Sequence, residues 1–193
     1  TSVSASIHPV IAHNVAKIET IKAALGYAGV ENLPGAYFEF GIFEGTTLKA
    51  AAKIQRQFQK GAKKEFRGLT ETRRFFGFDS FEGGFKYHSA DENHPMHFEG
   101  NLTSSYKKCL KRFSNFPEVT LIPGYFEDTL HGRSPQDVVG NEKCAVVFID
   151  CDLKTPASIV LDFIRPILQE GSVVVMDDAY CYKGNPELGV FGA

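Results

Sequence analysis

The sequence predicts a Rossmann-like α/β domain, in which helices cover both faces of a mostly parallel sheet. Five short apolar segments are typical of strands, and segments with apolar residues three or four positions apart lie between them. The strand segments are apolar almost throughout, which is typical of parallel strands buried on both faces. The chain has 193 residues, of which 43% are hydrophobic, and is long enough for one such domain.

The predicted elements follow one another in the alternating order of a parallel sheet. Residues 1–34 are predicted to form an N-terminal helical segment, since Ile11, Val15 and Ile18 begin a helical spacing that Pro34-Gly35 ends. Residues 35–193 are predicted to form the domain proper. Its strands are expected at 36–41, 74–79, 119–122, 145–149 and 172–176, and its helices at 46 to about 59, at 104–113 and through 159–168.

The composition argues against several kinds of partner. A net charge of −2 and a pI near 6.3 give no electrostatic reason to expect a nucleic acid. Apolar runs stay below the ~18 residues of a membrane span and no signal peptide is recognisable, so no membrane partner is expected. The four cysteines form no CxxC pair, which favours a reducing compartment. A cytoplasmic location is predicted, and a homo-oligomer is left open.

Acidic residues and glycines collect where the predicted strands end. In an open parallel sheet, ligands bind just beyond the carboxyl ends of the strands. Acidic residues that served only solubility would show no preference for these ends. The sequence therefore predicts a ligand site along this edge of the sheet. The strand-end residues are Glu39, Gly41, Asp79, Gly124, Asp150, Asp177 and Asp178.

The first strand-end segment, 39–47, spans a predicted strand-to-helix turn. Its glycines let the backbone approach a ligand, and the amino end of the next helix offers free N–H groups to a carboxylate. The segment lacks the GxGxxG pattern that cradles a dinucleotide pyrophosphate, which favours S-adenosylmethionine. Glu39 is expected to orient donors or to hold the cofactor's ammonium; a tight turn without a ligand is the alternative. The predicted contacts are Glu39, Gly41, Gly45, Thr46 and Thr47.

Two later segments fit the nucleoside part of such a cofactor. Asp79 ends the second strand, where a carboxylate accepts hydrogen bonds from both ribose hydroxyls of NAD or of S-adenosylmethionine. In the segment 124–130, Phe126 is expected to pack on adenine, and Glu127 is expected to accept a hydrogen bond from the exocyclic amine. The alternatives are a helix-capping Asp79 and an aromatic side chain that belongs to the core.

A group of carboxylates is predicted where the fourth and fifth strands end. Asp150 and Asp152 follow one strand and Asp177-Asp178 follow the next. Carboxylates this close require a cation or raised pKa values. Oxygen ligands suit Mg²⁺, Ca²⁺ or Mn²⁺, and such an ion can lower the pKa of a bound hydroxyl. The alternative is one aspartate on the cofactor and the others capping helices.

Five motifs together resemble the macrocin O-methyltransferase family, whose best-known members methylate sugar hydroxyls on macrolide antibiotics. The resemblance covers roughly residues 35 to 182 and implies a class I methyltransferase fold with S-adenosylmethionine and Mg²⁺ as cofactors. It implies metal-binding roles for Asp150, Asp177 and Asp178. The motifs are Glu39-Phe-Gly-x-x-x-Gly45, Gly77-Phe-Asp-Ser-Phe-Glu-Gly83, Gly124-x-Phe-x-Asp-Thr-Leu130, Ile149-Asp-x-Asp-Leu153 and Val175-x-Asp-Asp-x-Tyr180.

The resemblance also implies cofactor contacts, which match Glu39, Gly41, Asp79 and Ser80, and Phe81 follows in the same motif. Two features depart from the family. Lys154 stands where the family usually has an aromatic residue. It follows Asp150 closely in the sequence, which makes it a candidate general base. Class I methyltransferases also add two strands after the fifth, which this chain lacks; we expect a C-terminally truncated domain.

The predicted function is a divalent-metal-assisted, S-adenosylmethionine-dependent O-methyltransferase. The acceptor is a hydroxyl of a small molecule or sugar, and Asp150 contacts both cofactor and metal. His94 and His97, in a polar insert after the second strand, are further candidate bases in a lid over the acceptor. A non-catalytic nucleoside-binding domain, a metal-independent methyltransferase and a nicotinamide-dependent oxidoreductase are the alternatives.

Overall fold

A computed structural model describes residues 9–62, 66–84, 86 and 102–193. It confirms the predicted Rossmann-like fold: five parallel strands form one sheet in the order β3-β2-β1-β4-β5. The strands are β1 Ala36–Phe40, β2 Phe75–Asp79, β3 Val119–Pro123, β4 Cys144–Ile149 and β5 Val173–Met176. The helices are α1 Pro9–Val30, α2 Thr46–Gly61, α3 Arg67–Thr70, α4 Tyr106–Arg112, α5 Phe126–Thr129, α6 Pro135–Val139 and α7 Lys154–Ile164.

Alternate residues of each central strand face opposite sides of the sheet, and each side has its own core. On one side, Tyr37 of β1 packs with residues of α1 and α2. On the other side, Phe38 and Phe40 pack with residues of α5, α6 and α7. Both sides are apolar, so β1, β2 and β4 are buried along their whole length. This burial explains why these strands are apolar at nearly every position.

Helix α1 belongs to the same core as the strands. Its buried residues Ile21, Leu25 and Ala28 have 0% exposure and join the core cluster that contains Tyr37. Ile11 and Val15 helped to predict the helix, but they lie on its outer side and are 57% and 53% exposed. The predicted boundary at residue 34 therefore does not separate two hydrophobic cores, because α1 shares a core with β1.

Several short elements were not predicted. Helices α3, α5 and α6 have four or five residues each, too few to show a hydrophobic period in the sequence. Helix α4 is shorter than the predicted 104–113, because the Ser104 hydroxyl donates to the Phe43 carbonyl, 2.8 Å away, ahead of the first helical turn. Beyond β5, the described residues form 3-10 helices at Cys181–Gly184 and Val190–Gly192 and no further strand.

Three of the four cysteines belong to the hydrophobic cores. Cys109, Cys144 and Cys151 are buried and unbridged, and they fill apolar positions as small hydrophobic side chains. Within the described ranges, no helix combines the length and apolar character needed to cross a bilayer.

Candidate cofactor and carboxylate site

A cleft opens at the carboxyl ends of β1, β2, β3 and β4. The backbone pairing continues past the strands: Asp150 N–H donates to the Phe40 carbonyl at 2.8 Å, and Asp177 N–H to the Ile149 carbonyl at 2.9 Å. The strand-end residues therefore lie side by side, as the parallel topology predicts. Residues lining the cleft are Gly41, Phe43, Asp79, Ser80, Gly84, Lys86, Leu102, Gly124, Tyr125, Phe126, Glu127, Asp150, Cys151, Asp152, Leu153 and Pro156.

Gly41 begins the turn between β1 and α2. Its φ of +87° lies in the left-handed region, and a Cβ there would lie 1.9 Å from the Asp150 carbonyl oxygen. Only glycine fits both the backbone conformation and this close approach. The turn after β1 and the loop after β4 are therefore in direct backbone contact.

Glu39 lies behind this turn and not on the cleft surface. Its side chain is 1% exposed, and it accepts a hydrogen bond from the Tyr37 hydroxyl at 2.6 Å. The backbone N–H of Leu48, in the first turn of α2, also donates to it. Burial raises the pKa of Glu39 to about 8, although the Tyr37 hydrogen bond opposes this rise. The arrangement favours the expectation that Glu39 orients backbone donors.

Asp79 joins two loops at the cleft surface. Its Oδ2 accepts from the Phe43 N–H at 2.7 Å, and its Oδ1 accepts from the Phe81 N–H at 2.6 Å. Burial raises the pKa of Asp79, while these backbone hydrogen bonds oppose the rise. Ser80 also lines the cleft, and its hydroxyl donates to the Gly84 carbonyl at 2.9 Å. The predicted contact Phe81 is fully buried and packs against Tyr106.

The β3–α5 loop forms the opposite wall. Phe126 and Glu127 both line the cleft, and Phe126 also packs edge-on against Phe40, with ring centroids 5.9 Å apart. The alternative, an aromatic side chain that belongs to the core, therefore describes Phe126, and its packing on adenine stays a prediction. Tyr125 lies beside it, and its hydroxyl donates to the Gly83 carbonyl at 2.8 Å.

Three predicted contacts lie at the amino end of α2, away from the cleft lining. Gly45 is buried with a φ of +75°, and a Cβ there would meet the Phe113 ring at 2.7 Å. Thr46 is exposed, and its hydroxyl accepts from Arg112 at 3.0 Å. Thr47 is partly buried. Their cofactor roles stay predictions.

The structure gathers Asp150, Asp152, Asp177 and Asp178, here called the carboxylate cluster, around a lysine that the sequence analysis missed. Lys17 Nζ of α1 lies 2.9 Å from Asp150 Oδ2 and 2.6 Å from Asp177 Oδ2. His13, one helical turn earlier, places Nε2 3.4 Å from the same Asp177 oxygen. Burial lowers the pKa of Lys17, but the carboxylates of Asp150 and Asp177 together raise it by more, so its pKa lies above the usual lysine value.

The remaining carboxylates of the cluster pair with each other. Burial raises the pKa of Asp152, and its interaction with Asp178 raises it further. Burial also raises the pKa of Asp150 to about 7, although the Lys17 ammonium opposes this. Asp178 receives the Cys181 thiol as a donor at 3.2 Å. The Lys17 ammonium thus offsets part of the negative charge of the cluster.

The donor set of the cluster fits a divalent cation. Among the described residues, ligand atoms of Asp150, Asp152 and Asp178 lie within 4.8 Å of one another, and so do those of His13, Asp177 and Asp178. Hard oxygen ligands of this kind suit Mg²⁺. The predicted trio Asp150, Asp177 and Asp178 is divided between these two groups, because Lys17 stands between Asp150 and Asp177.

The candidate bases have different positions. Lys154 begins α7, and its Nζ donates to the Glu187 carbonyl at 3.0 Å, so it points to the C-terminal segment in this structure. Its role as a base stays a prediction. His94 and His97 lie outside the described residues.

The parallel sheet with a cleft at its carboxyl edge is the fold of a Rossmann-like methyltransferase domain, and comparison with known proteins agrees. Residues 38–179 match the family model described as "Methyltransferase domain". The chain therefore belongs to this family. The match spans all five strand-end segments, which confirms the predicted resemblance to methyltransferases.

The names of individual relatives describe them as methyltransferases or O-methyltransferases. A curated Streptomyces olivaceus protein, 8-demethyl-8-(2,3-dimethoxy-alpha-L-rhamnosyl)-tetracenomycin-C 4'-O-methyltransferase, is 24% identical over 88% of this chain and 64% of its own length. The calicheamicin methyltransferase CalS11 is 25% identical with a TM-score of 0.66, over 86% of this chain and 65% of its own. The O-methyltransferase NovP shares the fold, with a TM-score of 0.68, 22% identity and coverage of 88% and 69%. The chain thus spans slightly less than two thirds of the first two relatives.

Lys17 is the site residue that sequence reasoning missed, whereas Asp152 was placed in the carboxylate group but not among the predicted metal ligands. The signal for Lys17 was its position four residues before Ile21 and eight before Leu25, on the inward side of α1. A lysine on the buried face of an amphipathic helix needs an acidic partner, but the sequence does not say which one.

Proposed function

We propose that this chain binds S-adenosylmethionine in the cleft and transfers its methyl group to a hydroxyl of a sugar or other small molecule. The observation that carries the proposal is the Asp79 carboxylate, which lines the cleft at the end of β2; strand β1 separates it from the carboxylate cluster at the ends of β4 and β5. This edge of a parallel sheet is where nucleoside ligands bind. Family membership favours the methyl-donating nucleoside over NAD.

Each wall of the cleft has a separate task in this proposal. Asp79 accepts hydrogen bonds from the ribose hydroxyls, Glu127 accepts from the adenine amine, and Phe126 packs against the base. The Gly41 turn, stiffened from behind by Glu39, receives the amino-acid end. The sulfonium of S-adenosylmethionine supplies the electrophilic methyl group. The protein contributes mainly by orienting the acceptor oxygen in line with that group and by excluding water.

The carboxylate cluster lies next to the cleft and would hold Mg²⁺ through Asp150 and Asp178, with Asp152 or Asp177 as a further ligand. A divalent cation lowers the pKa of a bound hydroxyl. Asp150 lines the cleft itself, so it connects the cation to the acceptor side. The support is the chemistry of the donor set and the distances within the cluster.

A general base is still needed to accept the hydroxyl proton. Lys154, His94 and His97 remain the candidates from the sequence. Lys154 can serve only after its Nζ leaves the Glu187 carbonyl and gives up a proton, because a general base acts as the neutral amine. Turnover by Lys154→Met at the wild-type rate would remove it from this role.

The proposal is tested by transfer of a labelled methyl group. The chain is incubated with methyl-labelled S-adenosylmethionine, Mg²⁺ and a panel of free and nucleotide-linked deoxysugars, and label in the sugar fraction is measured. We expect transfer to a hydroxyl that is lost with EDTA and restored by Mg²⁺. Transfer that is insensitive to EDTA would favour a metal-independent enzyme. Binding of S-adenosylhomocysteine with no transfer to any acceptor would favour the nucleoside-binding alternative.

A further inference from the structure

Helix α1 brings a positive charge into the carboxylate cluster from the far end of the chain. Lys17 is separated by 133 residues from Asp150, yet its ammonium lies within 3 Å of one oxygen of Asp150 and one of Asp177. The three side chains are only 14%, 16% and 13% exposed. This geometry differs from the solvent-exposed pair Lys22–Glu19 on the same helix, whose side chains are 52% and 63% exposed and 3.5 Å apart.

The simplest explanation of the Lys17 contacts is a surface salt bridge that has no functional role. Exposed pairs of that kind contribute about 0–1 kcal/mol. Lys17 differs because burial makes its charge costly, and that cost is recovered only through close carboxylate partners. It also bridges two carboxylates from different strands, which would otherwise repel each other across the ends of β4 and β5. A divalent cation would make the same kind of bridge.

We propose that Lys17 is a built-in cation of the carboxylate cluster, which holds Asp150 and Asp177 together and competes with a divalent metal ion for their oxygens. While Lys17 is in place, a metal ion cannot bridge the Asp150 and Asp177 oxygens that the ammonium contacts, and it is left with either of the two ligand groups that contain Asp178. Removal of Lys17 frees the Asp150 and Asp177 oxygens and also removes a repelling positive charge. The proposal rests on the cation site of the proposed function but not on methyl transfer.

The test uses Mn²⁺ as the probe and the whole chain as the protein. Free Mn²⁺ is measured by electron paramagnetic resonance during titration of the wild type and of Lys17→Met, which keeps the apolar stem and removes the charge. We expect Mn²⁺ to bind Lys17→Met about tenfold or more tightly, because one unit of like charge close to the ion has been removed. Lys17→Arg keeps a cation and should bind Mn²⁺ as the wild type does.

Lys22→Met is the matched control, since it removes a lysine from the exposed side of the same helix. It should leave the Mn²⁺ affinity unchanged. An equal Mn²⁺ affinity in Lys17→Met and the wild type would overturn the proposal, as would an equal gain in Lys22→Met.

Thermal unfolding gives a second readout that does not depend on activity. Without divalent ions, Lys17→Met should unfold at a lower temperature than the wild type, and Mn²⁺ should raise its midpoint more than that of the wild type. If the Met variant does not fold in either condition, Lys17→Gln takes its place with the same expectations. Titration with S-adenosylhomocysteine separately tests the cofactor site, so failure of the proposed function and failure of the Lys17 proposal give different results.

Discussion

Asp79 accepts hydrogen bonds from the backbone of two loops and lines the cleft. Replacement by asparagine turns one acceptor oxygen into an N–H₂ group that faces a backbone N–H. We expect the Kd for S-adenosylhomocysteine to rise roughly 10- to 100-fold in Asp79→Asn, since hydrogen bonds to charged groups are worth about 1.5–3 kcal/mol. Calorimetric titration measures this change. Asp162→Asn, at an exposed aspartate of α7, should bind as the wild type does.

The pKa of Glu39 predicts a dependence of stability on pH. Burial raises this pKa from 4.5 to about 8, so the folded chain holds a proton that the unfolded chain releases over that range. The stabilisation is fully present below the unfolded pKa and is lost as the pH rises through the folded pKa. We expect the free energy of unfolding to fall with rising pH between these values, and to fall less in Glu39→Gln.

Urea unfolding at several pH values checks this expectation. Glu19→Gln is a suitable comparison, since Glu19 is 63% exposed on α1, and it should keep the wild-type slope. A Glu39→Gln variant with the wild-type slope would show that Glu39 is already ionised in the folded chain. Burial also raises the pKa of the neighbouring Asp150 to about 7. Asp150 therefore contributes its own part of the dependence of the free energy of unfolding on pH, and both variants retain this part.

At the scale of elements, the turn between β1 and α2 depends on Gly41. A Cβ at this position would overlap the Asp150 carbonyl oxygen, and its φ of +87° strains other residues. Gly41→Ala is therefore expected to destabilise the chain by about 3 kcal/mol or more, measured by thermal or urea unfolding. Gly61→Ala, at the end of α2 where a Cβ meets nothing within 4 Å, should be neutral or slightly stabilising.

Sequence reasoning located the elements better than the contacts between them. The five strands could be predicted because each is a short apolar run. Helices α1, α2 and α7 could be predicted because their apolar residues recur three or four positions apart over several turns. The strand-end aspartates could be brought together because parallel strands end at one edge. The division of the carboxylate cluster could not be predicted. Asp152 and Asp178 have φ values of +63° and +51°, which turn their side chains in directions that no sequence pattern specifies, and Lys17 reaches the cluster only because of where α1 packs.

At the scale of the whole molecule, the cofactor should stabilise the folded chain, because its cleft is built from four strand ends that unfolding separates. A ligand at about 100 times its Kd stabilises by about 2.7 kcal/mol. For a chain of this size, that corresponds to a rise in Tm of about 5–10 °C. We expect this rise with S-adenosylhomocysteine and none with NAD, measured by thermal denaturation. The reverse result would favour a nicotinamide-dependent enzyme.

The ion pair between Lys17 and Asp150 also has a consequence for synthesis of the chain on the ribosome. Helix α1 emerges early, but its partner Asp150 follows 133 residues later. At about 5–20 residues per second, this interval is roughly 7–30 s. During that time β1, α2 and α3 are already available to the buried face of α1, but Lys17 has no carboxylate from β4 or β5. The ion pairs of Lys17 can therefore form only after β4 and β5 have been made, later than the contacts of α1 with α2 and α3.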